Sequence, residues 1–357
     1  MLVLNNIHTD ELPGRTLSVE GVEYLFCSGT SYLGIARNEQ FKQHLFEGFH
    51  RYGTNYSSSR NSNLHLRVFD EAEAYLAAYS GAEAALTMSS GFLAGQTLVR
   101  VLQASGHFIY APGTHPAMWL NETSTTVTLD YDKWVKQLIV EAPTLPAEHI
   151  IIVCNSLDPL RARNYHFSWI DALPENKQIT LIIDDSHGFG VTGANGAGIF
   201  SQLSDKLTDN VRLIVATSFG KAFGIPAGII LGDKELISQL RLSSNFGGAS
   251  PAIPAYLYAF LHSEMVFKEA REKLLANITF FRQQLSCPAL FNCIENFPVF
   301  YTQHESLCPY LLENQVLISS FRYPTPTDDA ITRVILNSLH TKEDLQRLTE
   351  LLNKFQA

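Results

Sequence analysis

Three short segments hold residues whose types and spacing could do chemistry, and each follows or opens a regular element. In the first, Ile182-Ile183-Asp184-Asp185-Ser186-His187-Gly188-Phe189-Gly190, two carboxylates and an imidazole come directly after an apolar run. Carboxylates there are costly unless paired or liganded, and the glycines let another group approach the backbone. The alternative is that Asp184 caps a neighbouring helix and His187 is a loop histidine. In the second, Thr217-Ser218-Phe219-Gly220-Lys221-Ala222-Phe223-Gly224, desolvation among small and aromatic neighbours would lower the Lys221 pKa and make its amine a nucleophile toward carbonyls. This is not a nucleotide-binding Gly-x-x-x-x-Gly-Lys-Ser/Thr loop, since the first glycine and the hydroxyl after Lys221 are missing. Taken alone, such a lysine is most often a surface residue. In the third, Ser89-Ser90-Gly91-Phe92 leads into a helix start whose free N–H groups and dipole suit a phosphate, although Ser and Gly cap helices everywhere.

Together the segments offer a phosphate seat, an acid to face a cationic ring nitrogen and an imine-forming lysine. That set matches the needs of pyridoxal 5'-phosphate (PLP). Its pyridine ring accepts electrons well only while the ring nitrogen is protonated, and a buried carboxylate such as Asp184 keeps it so.

The elements that must position these residues are short apolar runs at His149–Cys154, Thr180–Ile183, Val211–Ala216 and Ala227–Leu231, bounded by polar or Gly-rich turns. Continuous apolar strands are buried on both faces, as in a mainly parallel sheet covered by helices, and open α/β sheets bind ligands at their strand ends. From about Asn63 to Gly81, Leu64, Val68, Ala72, Tyr75, Leu76 and Tyr79 keep helical spacing, with Gly81 as the C-cap. Tyr256–Phe267 reads as one helix continuing through Glu269–Gln284. At the end, Thr341 and Asp344 form a capping box ahead of the stripe Leu345, Leu348, Leu352 and Phe355. The expected fold is α/β: a large, mainly parallel α/β/α domain over residues 41–245, a smaller α+β domain over 246–357, and an arm, residues 1–40, joining the smaller one.

With 357 residues, 46% hydrophobic and 17% charged, the chain can bury a sizeable core and is not a disordered polymer. A net charge of −9 opposes nucleic acid and anionic membranes, so neither is an expected partner. The five cysteines are scattered, without zinc spacing, and read as reduced thiols; no metal is expected. Met1–Asp10 lacks the basic flank of a secretion signal, and no apolar run approaches the ~18 residues of a membrane span, so a cytoplasmic location is expected.

Over nearly its whole length the chain resembles the α-oxoamine synthases, fold-type I PLP enzymes. The resemblance rests on Tyr32-Leu33-Gly34, Tyr52-Gly53 with Ser59-Arg60, Ser90-Gly91-Phe92, and Asp184-Asp185-x-His187-Gly188-x-Gly190 with Gly193. Phe219-Gly220-Lys221-Ala222-Phe223-Gly224 and Arg322-Tyr323-Pro324-Thr325 complete it. It implies that Lys221 holds PLP as a Schiff base and moves protons at the substrate Cα. Asp184 would pair with the ring nitrogen, His187 would bond the ring hydroxyl with Ser156 near the same oxygen, and His115 would stack on the ring and take part in catalysis. Ser90, Gly91, Phe92 and Ser218 would hold the phosphate, while Arg322, with Thr325 beside it, would bind the substrate carboxylate. The implied reaction joins an amino acid to an acyl thioester, carried on CoA or an acyl carrier protein, with loss of CO2, in a homodimer. Other readings on the same scaffold are a PLP-dependent aldolase, an aminotransferase, or a non-catalytic PLP-fold protein. The chain departs from the family pattern at Thr30-Ser31, Phe69, Gly95 and Gly247-Gly248.

Overall fold

The computed structural model describes residues 7–121, 129–323 and 329–356. The chain divides into two units. The larger comprises Asn38–Asp158 and Asn164–Val266; the smaller takes the described residues up to Arg37, Pro159–Arg163 and the chain from Phe267 onward.

The larger unit is built on a six-stranded sheet in the order Ala84–Met88, Gly228–Gly232, Val211–Ser218, Gln178–Asp184, His149–Asn155, His107–Tyr110. The last four strands in this order are mutually parallel, and Gly228–Gly232 runs antiparallel to both of its neighbours. The four apolar runs read from the sequence therefore form four of the six strands, three of them extended by one to three residues and the last shifted by one, to Gly228–Gly232. Ile150 to Cys154 are fully buried, as strands covered on both faces must be. Leu86, Leu98, Ile151, Val153, Ile182, Ile214 and Ile230 share one core cluster, which ties the Gly91–Leu102 helix to the sheet.

The helix expected from about Asn63 to Gly81 spans Arg67–Ser80, so that Leu64 lies exposed ahead of it, and Gly81 is its left-handed cap. Between its first turn and the sheet lies a buried charge cluster. Glu73 receives Arg60, Arg241 and the Thr87 main-chain N–H, and the Arg60 guanidinium lies 4.2 Å from the Phe69 ring centre. Two cations and an amide around one carboxylate satisfy a charge that would be costly alone.

Two expectations change. The helix expected from Tyr256 through Gln284 is two helices, Pro254–Leu261 and Glu264–Gln284, parted at His262-Ser263. Proline opens the first at its N-terminal position, and a serine followed by Glu264 favours starting afresh. The boundary expected near 245 falls after Val266, because the Pro254–Leu261 helix packs on the larger unit. Tyr256 meets Phe49 edge to face, Phe260 meets Tyr75, and Gly48 admits the Ala255 backbone.

The smaller unit holds a second sheet in the order Thr16–Val19, Val22–Cys27, Val316–Arg322, Ala330–Ile335, Val299–Thr302, Asn292–Cys293. Val22–Cys27 pairs in parallel with Val316–Ile318, and the other pairings are antiparallel. The Lys342–Lys354 helix starts with the expected capping box and buries Leu345, Leu348 and Leu352, while Phe355 lies just beyond it. Among the described residues no helix is long and apolar enough to cross a membrane.

Candidate active site

Parallel strands deliver their C-terminal ends to one edge of the larger sheet, and most of the candidate residues follow those ends. Met88 and Ser218 both lie in register with Gly228, and Asp184 lies in register with Asn155 and Ala216. Topology thus gathers Ser90–Phe92, Asp184–Gly190 and Ser218–Gly224 at neighbouring positions although they are far apart in sequence.

The phosphate seat is shaped by close backbone approach. Ser90 is the N-cap of the Gly91–Leu102 helix, its hydroxyl accepting the Leu93 N–H at 3.1 Å. A Cβ on Gly91 would lie 2.8 Å from the Ser218 Cβ, and one on Gly228 would overlap the Ser90 carbonyl. Only glycines let the helix N-terminus press against Ser218. The result is a helix N-terminus, with its unpaired N–H groups and partial positive charge, beside a serine hydroxyl that also receives the Gly220 N–H at 3.3 Å.

Asp184 ends its strand partly exposed, and one carboxylate oxygen accepts the Ser186 N–H at 2.9 Å. The Ser186 hydroxyl in turn accepts the Ser218 N–H at 2.9 Å, coupling the aspartate turn to the lysine segment. Sequence reasoning missed Ser186, which fills the variable position of its motif. Lys221 and His187 are both half-buried. Ser156 is buried, and its N–H donates to the Asp184 carbonyl at 2.9 Å.

His115 caps a short turn, Pro116–Met118, with its Nδ1 accepting the Ala117 N–H at 3.1 Å. Although the residue keeps an open face, crowding around the ring holds its pKa below the usual histidine value; the Asp184 carboxylate pulls it up and the Lys221 ammonium pushes it down. Asp184 and Lys221 are thus both near enough to His115 to act on it electrostatically. A neutral His115 with Nδ1 as acceptor carries its proton on Nε2.

These residues fit PLP. There is an anion seat made of backbone donors, an acid, a half-buried amine, and a flat ring beside both. Arg322 lies in the smaller unit as the last residue of Val316–Arg322, exposed and in register with Ala330. Thr325 lies outside the described residues. Among the described residues no group of three or more His, Cys, Asp or Glu is placed to hold a metal.

A sequence model of the aminotransferase class I and II family matches residues 35–352. The 8-amino-7-oxononanoate synthase of Thermosipho melanesiensis is 27% identical, over 98% of this chain and 92% of its own length. That of Azoarcus sp. is 28% identical, over 95% and 90%. Among solved structures, serine palmitoyltransferase of Sphingomonas wittichii superposes with a TM-score of 0.82 at 16% identity, covering 99% of this chain and 92% of that one. An 8-amino-7-oxononanoate synthase from Francisella tularensis gives 0.72 at 23% identity, covering 93% and 97%.

Proposed function

Because the chain belongs to the aminotransferase class I and II family, we propose that it is a PLP-dependent acyltransferase that condenses an amino acid with an acyl thioester and releases CO2. The observation that carries this reading is the one sheet edge at which the Ser90–Phe92 seat, Asp184, His115 and Lys221 meet. The relatives named 8-amino-7-oxononanoate synthase, aligned over nine-tenths of the chain, support the condensation over other reactions of the fold.

When bound, PLP supplies an electron sink for negative charge at the amino-acid Cα. The chain supplies the rest. N–H groups of Gly91 and Phe92, with the Ser90 and Ser218 hydroxyls, bind the phosphate. Asp184, held by the Ser186 N–H, keeps a proton on the pyridine nitrogen. His187 and Ser156 serve the ring hydroxyl. The Lys221 amine would hold the cofactor at its aldehyde carbon and move the proton at Cα. His115 would lie against the cofactor and offer Nε2–H toward substrate oxygen. Arg322 would bind the amino-acid carboxylate, a two-point grip for which a guanidinium is suited and an ammonium is not. The partner in this reading is a second copy of the chain.

The test begins with borohydride reduction and peptide mapping, expected to tag Lys221. Single amino acids are then screened for a change in cofactor absorbance, and thioester-dependent CO2 release is measured with the responsive one. Amino-group exchange without thioester consumption would replace the condensation by transamination. Sedimentation should give a dimer.

A further inference from the structure

The Gly91–Leu102 helix does more than present its N-terminus. About one and a half turns on, roughly 8 Å along the axis at 1.5 Å per residue, Gln96 reaches the turn that carries His115. Its Nε2 lies 3.3 Å from the Pro116 carbonyl, 3.1 Å from that of Ala117 and 2.9 Å from that of Trp119. Its Oε1 accepts the Arg100 Nε at 3.3 Å, which fixes the amide with nitrogen toward the turn. Beside it, a Cβ on Gly95 would stand 2.6 Å from the Ala117 oxygen, so glycine is needed for the helix to come this close.

The geometry then has a chemical consequence. The Pro116 carbonyl and the Ala117 N–H belong to one planar peptide, and in a trans peptide they point in opposite directions. Two donors hold that carbonyl, Gln96 Nε2 at 3.3 Å from the helix and the Trp119 N–H at 3.1 Å from within the turn; together they aim the Ala117 N–H the other way, and that N–H is the one His115 Nδ1 accepts at 3.1 Å. Nδ1 can accept only while it carries no proton, so the peptide orientation selects the Nε2–H form.

We propose that Gln96 is a positioning residue for His115, fixing the orientation and tautomer of its ring through the Pro116–Ala117 peptide. The functional part of this inference rests on His115 facing the cofactor, as proposed above; the positioning part does not. Anion seat and histidine turn would then be two fittings of one helix, set at a fixed spacing.

The experiment is 15N NMR of histidine-labelled, cofactor-loaded protein, with the His115 signals among the twelve histidines assigned by their loss in His115→Phe. The native protein should show a pyridine-type Nδ1 and a pyrrole-type Nε2. In Gln96→Leu the two signals should move toward each other as the tautomers mix. Turnover should fall in kcat by about tenfold, the effect of one or two lost hydrogen bonds, with KM and cofactor absorbance little changed. Gln96→Asn, which keeps the amide but withdraws it by one methylene, should lie between, and it is the variant that decides if Gln96→Leu does not fold. Well-separated native signals in whichever of these variants folds would overturn the proposal. If Gln96→Leu mixes the tautomers while His115→Phe turns over normally, positioning stands and the role of His115 at the cofactor falls.

Discussion

Asp184 and Asp185 are adjacent, chemically identical, and placed in opposite surroundings. Successive residues at a strand end point to opposite sides. Asp184 is partly open at the sheet edge, receives one N–H from Ser186, and acts on His115. Asp185 is fully buried in the turn that follows. Its N–H donates to Ala216 at 3.0 Å, its carbonyl accepts from Gly188 and Phe189, and its carboxylate accepts the Ile199 N–H at 2.9 Å. Burial, with help from the neighbouring Asp184 charge, pushes the Asp185 pKa up to about 7 against the opposing pull of the Ser156 hydroxyl and the Ile199 N–H. The lesson is that a doubled carboxylate motif need not be a doubled site. One aspartate serves the ligand edge and the other ties the 185–199 loop to the sheet.

The strongest way to break this division is a pair of isosteric changes. Asp184→Asn should cut turnover by about 10³-fold, within the range for loss of a catalytic acid–base group, and leave the melting temperature nearly unchanged. Asp185→Asn should instead shift the melting temperature while keeping turnover per folded molecule within about tenfold of native. Equal losses in both would erase the distinction.

Next in size is the pH dependence of stability. A carboxyl whose folded pKa is raised from 3.8 to about 7 keeps its proton in the folded state where the unfolded chain has lost it. Its stabilisation is full below the unfolded value and is lost as pH rises through the folded one. Asp185→Asn has no such proton to lose, so its stability relative to native should climb by an amount of order 3 kcal/mol between pH 4 and 7, then level off. Urea unfolding at pH 5, 6, 7 and 8 measures this; a relative stability that fell with pH would reverse the reading of Asp185.

A smaller effect sharpens the ligand-edge half of the contrast. Gly228→Ala places a methyl against the Ser90 carbonyl, and the displaced seat should bind PLP about tenfold more weakly, the lower end of an overpacking penalty. Fluorescence titration of cofactor-free protein reads the affinity, and an unchanged value would remove the seat from that position. The smallest effect concerns His115, whose folded pKa is held below its ordinary value. Its own contribution to stability should shrink a little as pH falls through the ordinary value near 6.5, opposite in sign to that of Asp185, and the stability of His115→Phe relative to native should rise as pH falls over that interval.

Much of the scaffold was legible because buried strands declare themselves as short runs of Ile, Leu and Val, and the lysine and aspartate segments could be placed at strand ends before any geometry was known. The Thr341 capping box and the Gly81 stop were legible for the same local reason. The break at His262-Ser263 was hidden by an unbroken apolar pattern on either side, and it moved the unit boundary with it. His115 had no local signal of its own; only the family resemblance pointed to Thr114-His115-Pro116. Ser186 and Gln96 were invisible because a serine in a turn and a glutamine on a helix are ordinary until the partner carbonyls and N–H groups, supplied by distant strands and turns, are known.

The parallel pairing of Val22–Cys27 with Val316–Ile318 also bears on how the protein is made. The hairpin that opens the smaller sheet leaves the ribosome almost three hundred residues before its neighbour strand. At ~5–20 residues per second it waits roughly 15–60 s with an open edge able to pair with other chains. The larger unit, nearly contiguous in sequence, can close meanwhile. A ribosome-bound fragment ending near residue 300 should therefore carry a protease-resistant larger unit behind a protease-sensitive amino-terminal hairpin, and chaperone demand should concentrate on that hairpin until the last strands emerge.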